Sequence, residues 1–410
     1  MAPSNRLLRL SQAAVPHVIV PVLAHASPSP ERARQYNRQK RRVTLLASGI
    51  GWLGSTAAVF TGISGRIHQR VRRRGALNAT ASESITIVIL SLLGSLAALP
   101  FRYYSGYALE HRFQLSTQTR RAWVWEEAKA LAVGLAFEVP GAQLILAIIR
   151  RRPRTWWAIV SALTLPLTVV LAQLGPVLIA PLFNRYEPLR DRQLGDRLRR
   201  LASRSGITVT DVLEMDMSRQ TAKANAFFAG IGRTRRIVLA DTLLANFSPD
   251  EIEVIVAHEM GHQAHRDTWR LIGVGTLATF ASTFIVDRVA KATLRRSGRR
   301  IGSDDLGSVA ALSVLAWSAS LVAALLTPLQ NAYSRVIERR ADRYALELTG
   351  NPQAFVSAMQ RLATQNLDDP APPAIVRLLL YTHPPIAERV DEARRFAAGH
   401  GVALPRDVVR

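Results

Sequence analysis

The sequence predicts a mainly α-helical, polytopic membrane protein of about six spans, with a small α+β unit placed between the fourth and the fifth. Three observations predict it. Of the 410 residues 48% are hydrophobic, and the mean hydropathy of +0.09 is high for a water-soluble chain. Long uncharged runs are bracketed by arginine clusters. Between Arg185 and Arg270 the composition changes sharply to alternating charged and apolar residues, as in water-exposed structure.

Residues 1–42 form a basic N-terminal tail. Its apolar stretch Ala13 to Ala24 is interrupted by Pro16, His17 and Pro21, which favours an uncleaved tail; Ala24-His25-Ala26 leaves a signal-peptide reading open. Glu31 to Arg42 flanks the membrane. Residues 43–184 hold four uncharged or nearly uncharged runs, Val43–Gly65, Ser84–Phe101, Ala130–Ile149 and Trp156–Asn184, each suited to the roughly 30 Å hydrocarbon core. Glu138, within the third run and beside Pro140, is expected to face the interior of the bundle or a wet cavity, as a hydrogen-bond anchor at a kink in preference to a substrate contact. Arg66–Arg74 and Arg150–Arg154 read as basic loops.

Residues 185–270 read as the water-exposed unit, with an amphipathic helix at Leu194–Ser203 and strands at Thr208–Met217 and Arg236–Leu239. Residues 271–334 hold two further spans, Leu271–Val286 and Leu306–Ser334, separated by a basic loop, Lys291–Arg300. The first of these is short, which predicts that the preceding helix runs into it without a break. Residues 335–410 form a C-terminal helical segment.

The net charge of +23 rests almost wholly on arginine, with only four lysines among the 53 cationic residues. Arginines that flank spans and meet lipid headgroups account for it, so membrane lipids are expected partners. No basic stretch carries interleaved aromatics for base stacking, which argues against nucleic acid. The chain has no cysteine, which excludes disulfides, thiolate metal sites and a cysteine nucleophile.

Chemistry concentrates in His258-Glu259-Met260-Gly261-His262. On a helix, His258 and His262 stand one turn apart on one face and present two imidazoles to one metal ion. Glu259 is rotated about 100° from His258, within reach of a water activated by the metal without itself being a ligand, so it suits a general base. Ser248-Pro249-Asp250-Glu251 reads as a capping box with proline in the first turn, which starts the helix at the right place. Imidazole and carboxylate donors favour zinc, one ion per chain. A catalytic site needs a third protein ligand. The metzincin spacing fails, because His265 and Thr268 stand where that class has Gly and His. In Glu338-Arg339-Arg340-Ala341-Asp342 the two acids share a helical face, which suits Glu338 as ligand and Asp342 as the acceptor that orients a zinc histidine.

With these residues the chain resembles the type-I CAAX prenyl endopeptidases, integral-membrane zinc metalloproteases of the gluzincin class. The likeness is carried by the zinc motif and Glu338–Asp342, by Ile179–Asn184, Lys223–Phe228, Arg236–Leu244 and Thr382-His383-Pro384-Pro385 with Arg389, and by Tyr104–Trp125. It implies spans that enclose a chamber with the metal site at its rim. It also implies that Asn225 and Ala226 lie on an edge strand that binds substrate backbone, that His383 stabilises the transition state, and that Arg389 holds a nearby carboxylate. The family commonly has seven spans, whereas six are readable here.

The function expected is zinc-dependent hydrolysis of peptide bonds in hydrophobic, membrane-associated or prenylated peptide or protein substrates. A non-catalytic quality-control scaffold or chaperone that keeps the zinc fold is the alternative, and the intact Glu259 argues against it. The chain is expected to be a multi-pass protein of a bacterial-type cell membrane. On orientation, the resemblance places the catalytic side in the cytoplasm, while about fourteen Arg and Lys in the loops after the first, third and fifth runs argue for those loops there instead.

Overall fold

The computed structural model describes residues 30–73, 77–230 and 232–404. The question of a signal peptide falls on residues outside that set. Six helical segments are long and apolar enough to cross a membrane: Pro30–Thr61, Ala79–Arg112, Arg120–Arg151, Trp156–Leu174, Asp267–Ile301 and Val309–Thr349. In chain order, α1 (Pro30–Thr61) and α2 (Ile63–Arg73) lead to α3 (Ala79–Tyr103), which continues through a π turn, Tyr104–Ala108, into α4 (Leu109–Arg112). Then come α5 (Arg120–Arg151) and α6 (Trp156–Leu174). In all but the last span no more than 11% of the apolar window is buried by protein. Helices that pressed on one another along their length would hide a whole stripe. Contact between spans is local rather than continuous, as where Ser161 and Trp157 of α6 meet Thr283 and Phe284 of the helix that follows the water-exposed unit.

At one end Arg150 ties the spans together, pairing with the buried Glu83 of α3 (2.5 Å) and donating through Nε to the Gly307 carbonyl (2.8 Å). At the other end the chain builds the water-exposed unit. It contains β1 (Tyr186–Pro188), α7 (Arg192–Arg204), β2 (Asp211–Met215), β3 (Ala226–Ala229), β4 (Arg236–Ala240), α8 (Asp241–Asn246) and α9 (Pro249–Ala264). The sheet order is β1-β2-β4-β3. β2 and β4 run parallel and the other two pairs antiparallel, which leaves β3 at an edge. Leu194, Leu198 and Leu201 on the inner face of α7 join Leu239, Leu243, Ile252 and Met260 in one core. Each such side chain contributes on the order of 1.5–3 kcal/mol by leaving water.

The chain returns to the membrane as α10 (Asp267–Ile301) and comes back as α11 (Leu312–Thr349), followed by α12 (Pro352–Asn366), α13 (Ala374–Leu380) and α14 (Ile386–Gly399).

Five expectations are corrected. The metal-motif helix does not run unbroken into the fifth span: Arg266 adopts the left-handed conformation (φ 55°), which ends α9 and starts α10 in a new direction. Arg66–Arg74 is not a loop where it is described, but the helix α2, held because Ser64 and Gly65 are buried against the end of α10 and the turn at Ala310. Lys291–Arg300 is likewise helical, as the last turns of α10, where Ala290, Leu294 and Ile301 are buried. The fourth run stops as a helix at Leu174, and Pro176 sits in the π turn that follows. Glu138 is exposed on α5 rather than buried within the bundle, and its carboxylate makes no hydrogen bond or ion pair among the described residues, so it anchors nothing beside Pro140.

Candidate metal centre

The helix that carries the motif starts where its sequence says. Ser248 caps the N–H of Glu251, Glu251 reaches back to the N–H of Ser248 (2.8 Å), and Pro249 occupies the first turn. Gly261 sets how near α9 comes to α11. A Cβ built there would lie 3.0 Å from Ala341 Cα and 3.2 Å from both Ala341 O and Tyr344 Cβ. Because that atom is absent, the helices cross in contact and Glu338 of α11 faces both histidines.

Donor atoms of His258, His262 and Glu338 lie within 4.8 Å of one another, a spacing that suits one metal ion. His258 Nδ1 is 2.8 Å from Asp342 Oδ1, and His262 Nδ1 is 3.1 Å from Asp267 Oδ2. Both carboxylates are 2% exposed or less. An ionised carboxylate only accepts, so each ring donates from Nδ1 and turns the lone pair of Nε2 inward. Glu338 Oε2 lies 3.2 Å from His258 Nε2, and Oε1 lies 3.6 Å from His262 Nε2. Two lone pairs and a carboxylate facing one another need a cation between them. Oε2 is also buried, with ring nitrogens of His258 and His383 at 3.2 and 2.8 Å. Without metal, a proton takes the cation's place: burial disfavours charge on His258, but the hydrogen bonds to Asp342 and Glu338 outweigh it and carry the imidazole up to about 9. The donor set therefore fits a divalent ion, and two imidazoles with one carboxylate fit zinc.

Around this centre the other predicted residues fall as follows. Glu259 is half-buried beside it, and burial raises its carboxyl above the usual range. His383 is largely exposed and points Nδ1 at Glu338 Oε2 (2.8 Å). It is carried there by α11, whose Asn331 donates to the Leu379 carbonyl and whose Arg335 donates to those of Arg377 and Tyr381. Arg389 of α14 grips Asp342 through Nη2 (2.5 Å) and Nε (2.9 Å). Asn225 immediately precedes, and Ala226 begins, the edge strand β3, which packs beside α9. The peptide group of Asn225 faces inward, its carbonyl accepting from the Ala240 N–H (3.0 Å). Of the two, only Ala226 offers its backbone to the open edge.

Asp267 escaped the sequence reading. It takes Nδ1 of His262 and also pairs with Arg340 (3.0 Å). Its signal was present as an acid five residues past the second histidine, in the first turn of the next helix. The turn at Arg266 that brings it round is what hid it.

An α-helical membrane protein whose α9 and α11 bring two buttressed imidazoles and a carboxylate together has the candidate site of a membrane metalloprotease. Comparison with known proteins gives the same class. Residues 188–397 match peptidase family M48, and residues 5–185 match the CAAX prenyl protease N-terminal region of five membrane helices. A Bacillus subtilis relative, "Uncharacterized metalloprotease YhfN", is 30% identical over 88% of this chain and 85% of its own. The Saccharomyces cerevisiae "CAAX prenyl protease 1" is 28% identical over 76% of this chain and 72% of its own. The crystal structure of S. mikatae Ste24p has the same fold, with a TM-score of 0.78 and 24% identity over 88% of this chain and 87% of that one. The chain belongs to peptidase family M48 and is a multi-pass zinc metalloendopeptidase.

Proposed function

We propose that the protein cleaves peptide bonds in hydrophobic, membrane-associated peptides, prenylated ones among them, at a single zinc ion held by His258, His262 and Glu338. The observation that carries this reading is the pairing of each histidine's Nδ1 with a buried carboxylate, Asp342 and Asp267, which fixes both Nε2 atoms toward Glu338. When bound, the metal supplies a Lewis acid that polarises the scissile carbonyl and acidifies water.

The protein's own groups do the rest. Glu259 accepts the proton of the attacking water and later returns it to the leaving amine; burial, which raises its pKa, makes that return easier. His383, exposed and 2.8 Å from Glu338, stands where it can donate to the oxyanion that forms on the carbonyl. Asp342 and Arg389 hold His258 in place. Ala226 binds the substrate backbone by strand addition, and the exposed Asn225 side chain contacts it from beside the strand. Spans that bury little of one another leave room for a lipid-bearing peptide end in a chamber between them. The catalytic face looks into the cytoplasm of a bacterial-type cell, a reading that rests on the family resemblance and that a protease-accessible C-terminal tag would check.

The test is cleavage of two quenched fluorescent peptides, one prenylated and one not, by detergent-purified protein and by Glu259→Gln, with zinc measured on both. Cleavage by the wild type and none by a zinc-loaded Glu259→Gln supports the proposal, and the ratio of the two peptides reports the value of the lipid. Zinc in both proteins with no cleavage of either peptide refutes it.

A further inference from the structure

The free edge of β3 has a built stop at one end. β3 bonds β4 through alternate residues: Asn225 accepts from Ala240, and Phe227 and Ala229 stand opposite Val238 and Arg236 in the same register. Successive peptide groups in a strand point to opposite sides, so those of Ala224, Ala226 and Phe228 point outward. No described residue bonds the outward groups of Ala226 or Phe228. At Ala224 the edge is closed. Its N–H donates to Asn366 Oδ1 (2.9 Å), and Asn366 Nδ2 donates to its carbonyl (3.3 Å). One carboxamide thus makes the pair of bonds that a residue of a neighbouring strand would make. Two residues earlier the seal continues, with Gln365 Nε2 on the Ala222 carbonyl (2.8 Å) and the Ala222 N–H on the Leu115 carbonyl (3.0 Å).

The stop is fixed in place. Asn366 ends α12, and Leu367 after it is buried in the left-handed conformation (φ 54°). Asn37 of α1 holds the Leu367 carbonyl (2.6 Å) and Arg41 of α1 pairs with Asp369 (3.1 Å). A substrate strand meets a carboxamide anchored on a membrane helix.

We propose that Asn366 is a specificity-determining residue: it ends the edge on which the substrate adds as a strand, and so fixes how far peptide pairing extends on one side of the scissile bond. The inference rests on the protease reading above and adds a register to it. It predicts an asymmetric site in which pairing runs outward from Ala226 through Phe228 in one direction and halts at once in the other.

The experiment uses a peptide that the zinc-loaded, full-length protein cuts, resynthesised with single N-methyl groups at each position on both sides of the bond. On the open side kcat/KM is expected to fall about tenfold at alternate positions, the size of one lost hydrogen bond. On the closed side sensitivity is expected to stop at the residue facing Ala226. In Asn366→Ala one further position, two residues on, becomes sensitive, and the products of an unmethylated length series shift with it. Alternating sensitivity to equal distance on both sides of the bond in the wild type overturns the proposal, and this arm stands even if Asn366→Ala does not fold. An unchanged methyl profile in a folded Asn366→Ala also overturns it. No cleavage of any peptide by zinc-loaded wild type overturns the protease reading, and this inference with it.

Discussion

Replacing Asp267 by Asn tests whether the carboxylates behind the histidines hold the metal site together. Asp267 Oδ2 receives His262 Nδ1–H at 3.1 Å and Oδ1 receives Arg340 Nη2 at 3.0 Å. In Asn one oxygen can still accept from His262, but its amide then faces Arg340, donor to donor. Arg340 is one-third exposed (33%) and can turn into water, so the loss is confined to a charge-assisted bond becoming a neutral one. Removing such a partner weakens metal binding by about 10–100-fold; here the lower end is expected, about tenfold or roughly 1.4 kcal/mol. Asp342→Asn is the calibrating comparison. Its partner Arg389 is only 10% exposed and cannot rehydrate. The cost there should approach 100-fold in affinity, with about 3–5 kcal/mol of stability lost to an unpaired buried charge. Competition of each purified variant against a chelating zinc indicator, with thermal melts alongside, gives both quantities. Wild-type zinc affinity in Asp267→Asn, or a larger loss there than in Asp342→Asn, refutes the reasoning.

Gly261→Ala should lower both Tm and zinc affinity. The helix propensity gained is about 1 kcal/mol, but the new Cβ meets the Ala341 backbone at 3.0–3.2 Å, and overpacking of this kind costs about 1–3 kcal/mol; a variant as stable and as metal-tight as wild type would count against the close crossing of α9 and α11. Glu259→Gln should keep its zinc and lose about 10²–10⁴ in kcat, read in the two-peptide assay. The metal-free protein should lose stability as pH rises. Although burial works against it, His258 is held up to about 9 by its carboxylate partners; a folded-state value above the unfolded one stabilises fully below the ordinary imidazole range and fades as pH climbs through about 9. Melts of stripped protein between pH 6.5 and 9.5 check this, and the zinc-loaded protein should not follow the same decline.

The spans and the core of the centre were legible because both are local signals. A run of uncharged residues declares a span by itself, and two histidines one turn apart declare a metal face without knowledge of the rest of the fold. Glu338 and Asp342 could be read for the same reason, as a second pair on one helical face. What escaped depends on partners remote in sequence. Asp267 looked like the continuation of a helix until the left-handed Arg266 turned the chain. The arginine-rich stretches of α2 and α10 read as loops because their charges mask the few residues that pack. The edge at β3 could be expected from resemblance, but that Asn225 faces β4 and Ala226 faces out follows only from the register with β4.

Glu338 rides on the same unbroken helix, α11, that crosses the membrane. From Leu312 at its start to Glu338 is about 39 Å at the helical rise of about 1.5 Å per residue, close to the full thickness of a bilayer with its headgroups. Glu338 and the start of α11 are therefore joined by one continuous rod about as long as a bilayer is thick, so a tilt of the span is a tilt of the candidate metal centre.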